Sequence, residues 1–126
     1  MRDYRELLIW QKAHELTLLV YQATAVFPGD ERFGLVSQMR RVSASIAINI
    51  AEGSGRETPK DFAHFIQMAI GSCSELKYEL LLSNDLGYIS QETYDDLSFR
   101  ASEALRMMVA YNEKIRQNFL KNETVN

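Results

Sequence analysis

Apolar residues recur at steps of three and four along almost the whole chain, and only Pro28 and Pro59 could break the pattern as prolines. Such spacing stacks side chains on one face of an α-helix. A strand would need alternation, which no segment sustains. Ile9, Ala13, Leu16, Val20, Ala23 and Phe27 form the first stripe. Pro28-Gly29 ends it, because proline disfavours helix in the residue before it and glycine tolerates left-handed angles. Leu35, Met39, Val42, Ile46 and Ile50 form the second, with Asp30 as its expected cap and Gly53-Ser54-Gly55 as its stop. Thr58-Pro59-Lys60-Asp61 then offers a cap, a proline whose missing N–H costs nothing there, and an acid in the first turn. Phe62, Ile66, Ala69, Cys73, Leu76 and Leu80 continue from it to a stop at Gly87. Ser90 caps the last stripe, formed by Tyr94, Leu97, Ala101, Ala104, Met108, Tyr111 and Ile115. That helix is expected to fray near Lys121 and leave residues 122–126 as a loose tail.

Helices are therefore predicted over about residues 7–27, 31–52, 59–86 and 91–120. Joints this short force neighbours to run antiparallel. The expected fold class is all-α: one antiparallel up-and-down four-helix bundle filling residues 1–126. A hydrophobic share of 46% is enough for a packed core and excludes wholesale disorder. The net charge of −3 argues against a domain that coats nucleic acid by bulk electrostatics. The single cysteine, Cys73, excludes an intrachain disulfide framework and suits a reducing compartment. The opening MRDYRELLIWQKAHE is charged throughout, and no apolar run approaches a membrane span. A cytoplasmic protein with no membrane partner is expected.

Catalytic machinery is hard to assemble from these residues. Di-metal bundles use Glu-x-x-His motifs, and none occurs here; Asp61-Phe62-Ala63-His64 comes nearest, with Asp61 placed as a capping acid. His14, His64 and Cys73 are too few for an ordinary structural zinc site. Cys73 lies on a core stripe, where a thiol is an inert small hydrophobe. The glycine signatures of phosphate-binding loops are absent, and Gly53-x-Gly55 lacks both a third glycine and a preceding strand. No enzymatic activity, metal, cofactor or small-molecule substrate is expected.

Two groups of residues exceed what a single buried stripe needs. Trp10, His14, Thr17, Leu18 and Tyr21 add a second face to the first helix, and Phe65, Met68, Ile70 and Leu82 add to the third. Either these faces are wide and buried within the chain, or Trp10, His14, Tyr21, Phe65 and Met68 are covered by another copy. The second group is polar. Gln38, Arg41, Ser45, Asn49 and Glu52 repeat at helical steps on the second helix, and Ser72, Glu75 and Glu79 on the third. An interhelical network joining Arg41 or Asn49 to Glu75 or Glu52, a solvated face, or a ligand site would each account for them. Charge is also uneven. Residues 32–51 hold arginines and no acid, and residues 75–103 hold seven acids against Lys77 and Arg100. Arg32, Arg40, Arg41, Arg56 and Lys60 could thus form a small basic surface, or pair with local acids.

The run Gln38-Met39-Arg40-Arg41-Val42-Ser43-Ala44-Ser45-Ile46, followed by Asn49-Ile50-Ala51-Glu52-Gly53 and Gly55-Arg56, resembles the S23-like four-helix-bundle family. These proteins are encoded within intervening sequences of bacterial 23S ribosomal RNA genes. Leu8-x-Trp10-Gln11-Lys12-Ala13, Phe27-Pro28, Phe33-Gly34-Leu35, Phe62, Phe65, Ala69 and Gly71-Ser72 fit the same pattern. The resemblance implies a left-handed bundle assembled as a ring-like homopentamer. It also implies kinship with the accessory protein of diversity-generating retroelements, which engages a reverse transcriptase and nucleic acid. The expected function is a non-enzymatic, homo-oligomeric scaffold or adaptor for another macromolecule, such as a nucleic-acid-processing protein. The alternative is a module for structured ribosomal RNA that uses Arg32, Arg40, Arg41, Arg56 and Lys60.

Overall fold

The computed structural model describes the backbone of residues 3–125 and the side chains of residues 3–119. After a short 3₁₀ turn at Tyr4–Glu6, four α-helices follow: α1 (Leu8–Thr24), α2 (Leu35–Ser54), α3 (Pro59–Asp85) and α4 (Gln91–Val125). Each helix packs on the next, and α1 also packs on α4, which closes a four-cornered bundle. Cross-helix contacts fix the directions. Thr17 meets Ser43 while Thr24 meets Arg40, Ser45 meets Ser72 while Met39 meets Ser83, and Lys12 meets Glu103 while Glu15 meets Arg100. In every pair a later residue on one helix meets an earlier one on the next, so neighbours are antiparallel. The all-α four-helix bundle expected from periodicity is the fold observed.

The stripes become the core. Leu16, Met39, Ile46, Ile50, Ile66, Leu76, Leu80 and Met108 are almost wholly excluded from water. Burying each such side chain contributes about 1.5–3 kcal/mol before entropy is counted. Cys73 is among them; burial pushes its thiol up to about 11, and it sits 3.3 Å from the Ala101 carbonyl. At neutral pH it stays protonated and unreactive.

Helix ends follow local chemistry with three departures. Thr58 caps α3 as expected, its hydroxyl accepting from the Asp61 N–H, and Ser90 accepts from the Thr93 N–H at the start of α4. Gly87 takes a φ of 78° in the turn after α3, a left-handed angle that favours glycine. The first departure is at α2, which begins at Leu35 rather than at Glu31. Residues Gly29–Glu31 form a separate 3₁₀ turn, so Asp30 caps nothing in α2. Glu31 takes part from the side chain instead: its carboxylate accepts from the Tyr88 hydroxyl at 3.0 Å and approaches the Leu35 N–H at 3.4 Å. Second, α1 ends at Thr24, short of Phe27, because the chain must turn before Pro28; Phe27 is buried against the Tyr88 ring instead. Third, α4 continues through residues 122–125 to Val125, since no glycine or proline interrupts it, and Asn126 lies outside the described residues.

Candidate functional site

Three surfaces on or beside α2 hold the residues singled out by the sequence. The first lies between α1 and α2. Trp10 stacks on His14 with centroids 4.8 Å apart, and Tyr4 meets Trp10 edge-on at 5.1 Å. These rings, with Thr17, face Ala44, Ala47, Ile48 and Ala51 across a shallow cleft of about 270 Å³. The three alanines keep the α2 side low, so the aromatic ridge of α1 has a trough beside it. Ile48 is 56% exposed, Leu18 51% and Tyr21 45%. No acid lines the cleft. Water therefore reaches a strip of apolar side chains here, Leu18, Tyr21 and Ile48 among them, that the bundle leaves partly uncovered.

Phe65 and Met68 sit elsewhere, on α3. Phe65 is used inside the chain: Gly53 packs onto it and the Arg56 guanidinium covers its ring at 4.6 Å. Met68 is exposed, with Tyr78 and Leu81 on the same helix and Phe99 and Val109 on α4. Apolar surface is therefore left on the α3 and α4 side as well as on the α1 and α2 side.

The second surface is the polar groove between α2 and α3, lined by Gln38, Arg41, Val42, Ser45, Ser72, Glu75 and Glu79. The Ser45 and Ser72 hydroxyls are 2.7 Å apart, and the Asn49 amide donates to the Ser45 carbonyl at 2.8 Å. Glu52 lies outside the groove and pairs with Arg56 at 3.5 Å. Arg41 shares the groove with Glu75 and Glu79, yet no ion pair among the described residues joins it to either. Glu79 is only 5% exposed, and its Oε1 has no hydrogen-bond partner among the described residues. Burial, reinforced by the Glu75 charge and opposed by Arg41, raises its pKa to about 7.

The basic residues are not gathered. Arg32 and Arg56 flank opposite ends of a 20-residue helix, about 30 Å long at 1.5 Å per residue. The Arg32 guanidinium lies over Phe33 at 5.4 Å. Arg40 is bonded to the Thr24 hydroxyl and the Tyr21 carbonyl, and covers the Tyr21 ring at 4.7 Å. Arg41 turns to the polar groove. Arg56 and Lys60 share one end of the bundle, where Arg56, Thr58, Tyr111 and Lys114 line a cleft of about 320 Å³.

Among the described residues no group of three or more His, Cys, Asp or Glu side chains is placed to hold a metal ion. Nor is any helix there long and apolar enough to cross a membrane. The alanine trough escaped the sequence reading, although Ala44, Ala47 and Ala51 recur at the same steps as the core stripe. The sequence spacing pointed to Glu79, but not to its burial.

The profile of the 23S rRNA-intervening sequence protein family matches residues 5–110. No curated protein matches the chain. Among solved structures, it is similar to a crystal structure of a protein with unknown function from the S23 ribosomal protein family of Bacteroides thetaiotaomicron. The identity is 21% and the TM-score 0.76, over 84% of this chain and 96% of that one. At that identity the likeness establishes a shared fold.

Proposed function

The chain belongs to the 23S rRNA-intervening sequence protein family, and on that premise we propose that it is a non-enzymatic scaffold, assembled as a homopentamer, that holds another macromolecule. The observation that carries this is the uncovered strip between α1 and α2. Leu18, Tyr21 and Ile48 are exposed there, Trp10 is half-buried on the core with His14 stacked on it, and apolar surface left open beside a trough of alanines marks an interface. Exposed apolar side chains on α3 and α4, among them Tyr78 and Phe99, differ from those on α1 and α2. Two unlike surfaces suit a head-to-tail contact, and head-to-tail contacts close into rings when the rotation allows. Charge agrees with that pairing: residues 32–51 carry arginines without acids, while the span from Glu75 to Glu103 is acid-rich.

A protein partner is preferred over RNA because the five basic residues are spread from Arg32, ahead of α2, to Lys60 in the first turn of α3. Arg40 is tied to α1, and Arg56 is paired with Glu52. The double variant Leu18→Glu, Ile48→Glu tests the assembly. Both side chains are more than half exposed, so the helical circular dichroism should be kept while the sedimenting species shifts to monomer. An oligomer that survives both charges would remove this face from the interface.

A further inference from the structure

The groove between α2 and α3 is one positive charge short. It gathers two carboxylates, Glu75 and Glu79, and a single guanidinium, Arg41, which pairs with neither among the described residues. Buried carboxylate oxygens almost always have a hydrogen-bond donor, yet Glu79 Oε1 is buried and has none among the described residues. The nearby hydroxyls do not supply one. The Ser45 hydroxyl is placed to donate to the Val42 carbonyl or to Ser72, each at 2.7 Å, and Ser83 donates to the backbone carbonyl of Glu79. The groove encloses about 240 Å³, several times the ~30 Å³ that one water occupies in the liquid.

We propose that this groove is a socket for one ammonium or guanidinium group, held by the carboxylates of Glu75 and Glu79, with the Ser72 hydroxyl and the Gln38 amide oxygen as further acceptors. The donor set selects that chemistry. A divalent metal would find only two carboxylates, short of the three or more ligating side chains that no cluster among the described residues supplies, and an anion would meet two acids around its one guanidinium. A compact cation with several N–H donors meets acceptors on both helices, and Val42 gives its alkyl stem an apolar contact. Such a group can come from a free small amine or from a lysine or arginine of a second copy.

Agmatine, which carries one group of each kind, is the probe. Carboxyl carbon NMR follows the titration midpoint of Glu79 with and without it. At about ten times its dissociation constant, agmatine should lower that midpoint by about one pH unit, since it binds the ionised form. Calorimetry should show binding weakened about tenfold or more in Glu79→Gln, an isosteric change that leaves the fold intact. If a second copy supplies the group, the midpoint falls as protein concentration rises and agmatine competes with assembly. If a free amine is the natural occupant, concentration has no effect. Either result supports the socket. A midpoint that responds to neither agmatine nor concentration overturns it, and so does equal binding to the Glu79→Gln variant.

Discussion

Gly53→Leu is expected to destabilise the bundle by about 3 kcal/mol, at the upper end of what overpacking a tight contact costs. The reason is the approach of α2 to α3. A Cβ at position 53 would lie 2.7 Å from Phe65 Cβ, 2.8 Å from Phe62 Cδ1 and 3.3 Å from the Phe62 carbonyl oxygen. None of these atoms is the free end of a flexible chain, so α3 itself must move. Phe62 is buried against Tyr111 of α4, which carries the displacement to a third helix. Gly71 provides the contrast within the same fold. It is exposed in the middle of α3, and a Cβ there meets nothing within 4 Å. Gly71→Ala should therefore stabilise by roughly 0.5–1 kcal/mol through helix propensity alone. Urea unfolding of the two variants reads both signs; equal effects would show that Gly53 is not a packing contact.

Glu79→Gln should raise stability near pH 8 and leave it almost unchanged near pH 4. Burial and Glu75 hold the Glu79 pKa at about 7 in the folded chain, against its ordinary 4.5. Between those values the folded chain keeps a proton that the unfolded chain has released. Stability contributed by this group is therefore complete at low pH and falls as pH rises through the window. A shift of this size corresponds to about 3 kcal/mol once the window is passed. Glutamine never ionises, so it removes the slope rather than shifting it. Thermal unfolding of both proteins from acid to mildly alkaline pH gives the comparison, in buffer free of amines that could occupy the groove. Parallel pH profiles would mean that Glu79 is already compensated by a neighbour, with Arg41 the nearest cation able to do it.

The helices were legible because one stripe per helix meets the core, and the stripe residues from Ile9 to Met108 are largely those that become buried. The start of α2 was not legible. Asp30 looks like a cap in sequence, but Glu31 has the partner that matters, Tyr88, which is 57 residues away and invisible to a local pattern. The basic residues illustrate the same limit. Arg40 and Arg41 are adjacent in the chain, yet about 100° separates them around a helix, so one reaches α1 and the other the α2–α3 groove. The polar line on α2 and α3 could be read from its spacing, and Ser45 does meet Ser72. That Glu79 would be enclosed with an unmatched oxygen depends on how closely two helices approach, which no spacing encodes.

Assembly is the centre of the proposed role, and solution mass tests it most directly. Light scattering on a sizing column, at low and high salt, should give one species near five times the 14.5 kDa monomer. Apolar burial along α1 and α2 should keep that species together when salt screens the charges. A 14.5 kDa monomer in both conditions would contradict the account and leave the Trp10 strip to a different protein.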